Sequence, residues 1–186
     1  MERGQAERLG PMLEEVLAEG GAVWRDVAAV AVCTGPGNFT GLRIGTGLAR
    51  GLAMGLGVPA IGVTRFEALA AGRRGGVVVT LANRTGGVML QSFRDGSPME
   101  EARLAPPEMA GPFPAGATWV GHEAKAFAAR HGLMAGSEDV TSDPAVLSRV
   151  AAARLGTPQP RPAPIYLRAA DAAPPSEPPT VILDDL

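Results

Sequence analysis

From Val27 to Gly57 the sequence passes from an apolar stretch, Val27 to Cys33, through Gly35-Pro36-Gly37 into a helical pattern with Ile44, Leu48 and Leu52 four residues apart. That helix, expected over Thr40–Leu56, carries glycine at 41, 45, 47, 51 and 55. Each glycine costs about 1 kcal/mol against alanine in a helix interior. A helix that accepts several of them regains the loss through close backbone approach, either to a ligand or to another helix. Gly47, Gly51 and Gly55 fall on one side, and Gly41, Gly45, Ala49 and Ala53 on another. Such spacing lets helices meet closely. Two small faces leave room for one contact with the chain's own sheet and one with a partner. Arg43 and Arg50 flank these faces.

The phosphate-binding alternative is specific enough to check. A Walker A loop requires Lys after its second glycine, and no Lys stands here. A dinucleotide fingerprint requires Gly-x-Gly-x-x-Gly. Gly35-Pro36-Gly37 places Thr40 at the third glycine, and Gly45-Thr46-Gly47 places Arg50 there. An anion at the helix start stays chemically open, with Gly35, Gly37, Asn38 and Thr40 around it. Asn38 and Thr40 serve equally well as helix caps.

Other chemistries have less to stand on. Cys33 is the sole cysteine, which excludes an internal disulfide and a thiolate metal cluster. His122 and His131 have no metal-ligand spacing, and no Gly-x-Ser-x-Gly elbow is present. A net charge of −2 argues against an extended nucleic-acid surface. No apolar run reaches the roughly 18–20 residues of a membrane span, and the chain opens without a signal-peptide pattern. A cytoplasmic protein without a metal is the expectation.

Along the chain, Leu9, Met12, Leu13, Val16 and Leu17 form the stripe of a first helix that ends at Gly20-Gly21. Asp26–Cys33 reads as a strand buried on both faces, and Pro59–Val63 as a second strand. Thr64 and Glu67 form a capping box for a helix through Phe66, Leu69 and Ala70. Val77–Ala82 and Val88–Phe93 read as a hairpin around Asn83–Gly87, with Met99–Leu104 a third strand. Ala117–Val120 reads as a strand and Gly121–Arg130 as a helix. Asp143-Pro144 opens a helix to Leu155, and Ile165–Arg168 reads as a short strand. The expected organisation is a first lobe over 1–72 joined by about 160–171, a second lobe over 73–159, and a disordered tail over 172–186.

Gly35-Pro36-Gly37-Asn38-Phe39-Thr40-Gly41-Leu42-Arg43-Ile44-Gly45 closely resembles the Gly-Pro-Gly-Ser-Phe-Thr-Gly-Leu-Arg-Ile-Gly signature of the TsaB family, also called YeaZ, with Asn38 in place of the usual Ser. These are bacterial proteins required to make threonylcarbamoyladenosine in transfer RNA. Gln5–Met12, Ile61–Thr64 and Pro164–Arg168 are also similar to family segments. The resemblance implies an α/β, two-lobed actin/Hsp70-like ATPase fold with RNase H-like lobes. It implies a non-catalytic scaffold for the paralogue TsaD, joined by the ATPase TsaE and pairing with itself when alone. It carries no resident cofactor, although weak ATP or ADP binding in complex with TsaD stays open. The implied partner-binding residues are Leu9, Met12, Leu13, Val16, Arg43, Gly47, Leu48, Gly51, Leu52 and Gly55. An older glycoprotease label for the family finds no protease residues here.

Three departures accompany the resemblance. The family's initial strands and their Asp-Thr phosphate turn have no counterpart in the sequence, so the chain is expected to be a fragment or to have a misplaced start. Its first lobe is then incompletely covered by its own residues. The hairpin loop, Asp-Ala-Arg in the family, reads Ala82-Asn83-Arg84, and the following Glu and Tyr are replaced by Gly87 and Met89. Ligand binding at that loop is therefore not expected. Two other readings stand beside the scaffold: a nucleotide-binding ATPase or kinase-like enzyme using the Gly35–Gly45 turn, and a structural homodimer.

Overall fold

The computed structural model describes residues 4–83, 86–106, 108 and 111–167. The expected tail over 172–186, the loop residues Arg84 and Thr85, and Arg168 lie outside the described residues.

The chain opens with α1 (Gln5–Glu19), a helix with Pro11 inside it. Arg8 donates to both carboxylate oxygens of Glu15, at 2.8 and 2.7 Å, across two turns. Strand β1 (Val30–Cys33) follows. It starts later than the expected Asp26, because Trp24–Asp26 winds into a 3-10 turn in which the Val23 N–H donates to Asp26 Oδ2. Helix α2 (Phe39–Leu56) crosses to strand β2 (Ala60–Val63), which pairs with β1 in parallel, Val30 opposite Ala60 and Cys33 opposite Val63. A two-stranded parallel sheet joined by a helix is the minimal βαβ unit.

The β1–β2 sheet has a helix on each face. On one, α2 packs its small residues, with Ala49 and Ala53 buried and Gly45 facing Val32. On the other lies α5 (Pro144–Ala152), whose Ala151, Leu147 and Val150 meet Ile61, Val63, Ala29 and Ala31. All four residues of β1 are nevertheless only half-buried. This corrects the expectation of a strand buried on both faces: among the described residues β1 pairs with β2 alone, and one edge stays open.

The second sheet takes β3 (Gly76–Ala82), β4 (Val88–Arg94), β5 (Ser97–Pro98), β6 (Arg103–Ala105), β7 (Thr118–Gly121) and β8 (Met134–Ala135). Its order is β5-β4-β3-β7-β8, with β6 also on β4. β3 and β4 form the expected antiparallel hairpin, while β7 runs parallel to β3. Of the third strand expected over Met99–Leu104 only Arg103 and Leu104 are strand, in β6; Met99 to Ala102 leave the sheet in a bend at Glu100. There the Glu100 carboxylate accepts from Ser92 Oγ and its carbonyl from Gln91. Helix α4 (Ala124–His131) covers one face through Phe127 and Ala128, packed with Trp119, Val78 and Leu90. It starts three residues later than expected because Gly121 belongs to β7. Gly121 has φ +99°, and a Cβ there falls 2.1 Å from the Thr80 carbonyl oxygen.

Helix α3 (Arg65–Ala70) covers the other face, burying Phe66 and Ala70 against Val77, Val79, Phe93 and Val120. The expected boundary at residue 72 therefore cuts through the packing: α3 lies on the second sheet and α5 on the first. Ile165 lies near both sheets. Its N–H donates to the Thr34 carbonyl, but residues 161–166 form no strand. Helix α5 also ends at Ala152 rather than Leu155.

Candidate partner-docking helices

The signature turn is built around packing. Gly35 sits at φ +100°, and a Cβ there falls 2.8 Å from Leu42 Cδ1, so the turn closes directly on the side chain of the helix it starts. Its backbone is held from α3: the Arg65 N–H donates to the Gly35 carbonyl at 2.8 Å, and Arg65 Nη1 to the Pro36 carbonyl. Asn38 Oδ1 accepts from the Gly41 N–H at 2.9 Å, capping α2. Of the two roles open to Asn38, capping is the one its side chain performs here, and an anion at this position has to compete with that bond. Gly37 and Thr40 are exposed beside it.

Helix α2 divides its residues between two environments. Thr46, Ala49 and Ala53 are buried against the sheet. Gly47, Gly51 and Gly55 are exposed, and a Cβ added at any of them meets nothing within 4 Å. Leu48 and Leu52 are half-buried at the margin, and Met54 stands 84% exposed. The glycine stripe is thus not explained by packing within the described chain. On α1, Leu9, Met12 and Leu13 are half-buried and Val16 is 57% exposed. None of the described α1 side chains is fully buried. An apolar stripe of this kind on a helix is ordinarily buried against another element.

At the start of α2 the structure adds residues that sequence spacing did not connect. The Arg43 guanidinium lies 3.9 Å over the Phe39 ring, and its Nε donates to Tyr166 Oη at 3.1 Å. The Phe39 and Tyr166 rings are 5.1 Å apart. Both are about half exposed, Phe39 at 40% and Tyr166 at 47%. Arg43 was expected at the interface. Sequence spacing does not reveal its contact with Tyr166, which lies 123 residues away. The available signal was Tyr166 itself, the one tyrosine of the chain, inside Pro164–Arg168. An exposed Arg beside two aromatic rings has the composition that dominates binding energy at protein interfaces.

No group of His, Cys, Asp and Glu that could hold a metal occurs among the described residues. No described helix is long and apolar enough to cross a membrane.

Comparison with known proteins places this geometry. Residues 1–97 match the family profile described as "TsaD: tRNA N6-adenosine threonylcarbamoyltransferase". The chain is 42% identical over 82 residues to the tRNA threonylcarbamoyladenosine biosynthesis protein TsaB of Escherichia coli, a match covering 43% of this chain and 36% of that protein. It is 40% identical over 65 residues to the tRNA N6-adenosine threonylcarbamoyltransferase of Erythrobacter litoralis, covering 35% of this chain and 19% of that one. The match thus spans about a third or less of the length of these curated relatives. Among solved structures, YeaZ from Pseudomonas aeruginosa superposes with a TM-score of 0.71 at 25% identity, covering 88% of this chain and 85% of the other. The fold is therefore the actin/Hsp70-like α/β fold of the YeaZ structures. Family profile, α2 signature and shared fold agree, and the chain belongs to the TsaD family of proteins as a member of its TsaB/YeaZ group.

Proposed function

We propose that this chain is a non-catalytic partner subunit in threonylcarbamoyl transfer to a tRNA adenosine, docking a TsaD-type paralogue through α1 and α2. One observation carries the reading. The outer stripe Gly47, Gly51 and Gly55 is exposed and unfilled on a helix whose opposite face is already used by the sheet. A glycine stripe costs helix stability, and close approach of a second helix is the contact that offsets it. Leu48 and Leu52 flank the stripe, with Arg43, Phe39 and Tyr166 at its N-terminal end. On α1, Leu9, Met12, Leu13 and Val16 supply the remaining apolar area. The same surface serves self-association when the paralogue is absent, and a TsaE-type ATPase joins the assembled pair.

Size-exclusion chromatography of the chain with a TsaD-type paralogue, with and without ATP, tests the reading. A stable one-to-one complex is expected. Separate elution of two folded proteins, together with ATP turnover by this chain alone, contradicts it.

A further inference from the structure

A groove of about 490 Å3 opens beside the first sheet, at the end of β2 where that strand begins, and so opposite the signature turn. One wall comes from the second half of α2, with Arg50 and Met54. The floor includes Pro59 at the entry to β2. The lining is completed by the turn after α5, with Arg154 and Thr157, and by Arg161 in the irregular segment that follows. The lining residues include three arginines and no carboxylate.

The three arginines are not equivalent. Arg154 is compensated: it donates to the Gly62 carbonyl at 2.9 Å and pairs with Glu67. Arg50 and Arg161 have neither a hydrogen bond nor an ion pair among the described residues, and Arg50 Nε is buried with no partner. Withdrawing a guanidinium N–H from water without an acceptor is unfavourable. Two such cations lining one groove, with no carboxylate beside them, favour an anion there.

We propose that the groove is a phosphate-binding site, with Arg50 and Arg161 donating to the phosphate oxygens from separate elements of its lining while Met54 and Pro59 hold the apolar part of the ligand. A tetrahedral phosphate offers oxygens in several directions, which suits two guanidinium groups converging from separate elements. A single carboxylate is satisfied by one bidentate arginine. The volume is in the range of sites that take a nucleotide-sized molecule. The phosphate is carried either by a free nucleotide or by an RNA backbone.

The test is calorimetric titration of the full chain with inorganic pyrophosphate, ADP, a short single-stranded RNA and an octaglutamate peptide, repeated on R161Q and R50Q/R161Q. Arg161 is exposed, so R161Q keeps the fold, and the melting temperature checks this for both variants. Saturable binding of at least one phosphate ligand is expected, weaker at higher salt. It falls at least about tenfold in R50Q/R161Q, the effect of losing a charge-assisted hydrogen bond. Binding of pyrophosphate or ADP without RNA assigns a free nucleotide, and binding of RNA assigns its backbone. The proposal is overturned by no saturable binding to the folded chain, by affinity unchanged in R50Q/R161Q, or by octaglutamate binding as tightly as the phosphate ligands.

Discussion

Glu67 uses its two carboxylate oxygens for two different tasks, and Arg154 holds one of them. Oε2 accepts from the Thr64 N–H at 2.7 Å, completing the capping box of α3, while Oε1 pairs with Arg154. Arg154 also donates to the Gly62 carbonyl in β2. A helix on the second sheet, a strand of the first and the turn after α5 are thereby tied at one point, with both side chains largely withdrawn from water.

Breaking that tie is expected to destabilise the chain. Arg154→Met leaves Glu67 Oε1 without its ion pair and takes the guanidinium donor from the Gly62 carbonyl, and is expected to cost about 2 kcal/mol. A double-mutant cycle with Glu67→Gln is expected to show coupling of about 1–2 kcal/mol. Urea denaturation of the four proteins measures both. Additive losses are inconsistent with the pair described.

The second sheet has its own sensitive point. Trp119 Nε1 donates to the buried Thr80 hydroxyl, which donates to the His122 carbonyl at 2.8 Å. Thr80→Val keeps the shape and removes both bonds, with an expected loss of about 1–3 kcal/mol. Gly121→Ala drives a Cβ into the Thr80 carbonyl and is expected to cost at least about 2 kcal/mol, including backbone strain. Thermal unfolding ranks the two variants against the wild-type chain.

The capping box and hairpin were legible because each is written within a few residues: Thr64 with Glu67, and two apolar runs around Asn83–Gly87. Arg154 was not, because it lies 87 residues from Glu67 and local patterns carry no trace of the pairing. The same limit hid Tyr166 from Arg43. Apolar spacing starts helix α4 three residues too early, because it cannot show that Gly121 must lie against the Thr80 backbone. The division of small residues in α2 into two faces is readable from their spacing; which face the sheet takes is decided by tertiary packing.

Glu138 provides an acid-side prediction. The N-cap residue of α4, Glu123, makes no side-chain cap, and the carboxylate of Glu138 accepts instead from the Lys125 N–H in the first turn. That backbone bond, with the Lys125 side chain, holds the Glu138 carboxyl below its ordinary value of 4.5. The unfolded chain then binds more protons in this region, so the contribution is present above pH 4.5 and lost as pH falls through the lowered folded value. Denaturation midpoints between roughly pH 3 and 6 are expected to rise with pH, less steeply in Glu138→Gln. Equal slopes contradict the assignment.

The outer glycines of α2 give a prediction of opposite sign. Gly47, Gly51 and Gly55 are exposed helix positions with open space around them. Replacing any one by alanine is expected to stabilise the isolated chain by about 0.5–1 kcal/mol. If these glycines were needed for packing within the chain, the melting temperature would fall instead of rising.

The central claim, that α2 offers its glycine stripe to a partner helix, is tested most directly by Gly51→Leu. Titration calorimetry with a TsaD-type paralogue, paired with the melting temperature of the variant, separates docking from folding. The account predicts a folded chain of unreduced melting temperature that no longer associates. Association at wild-type affinity by the folded variant contradicts it.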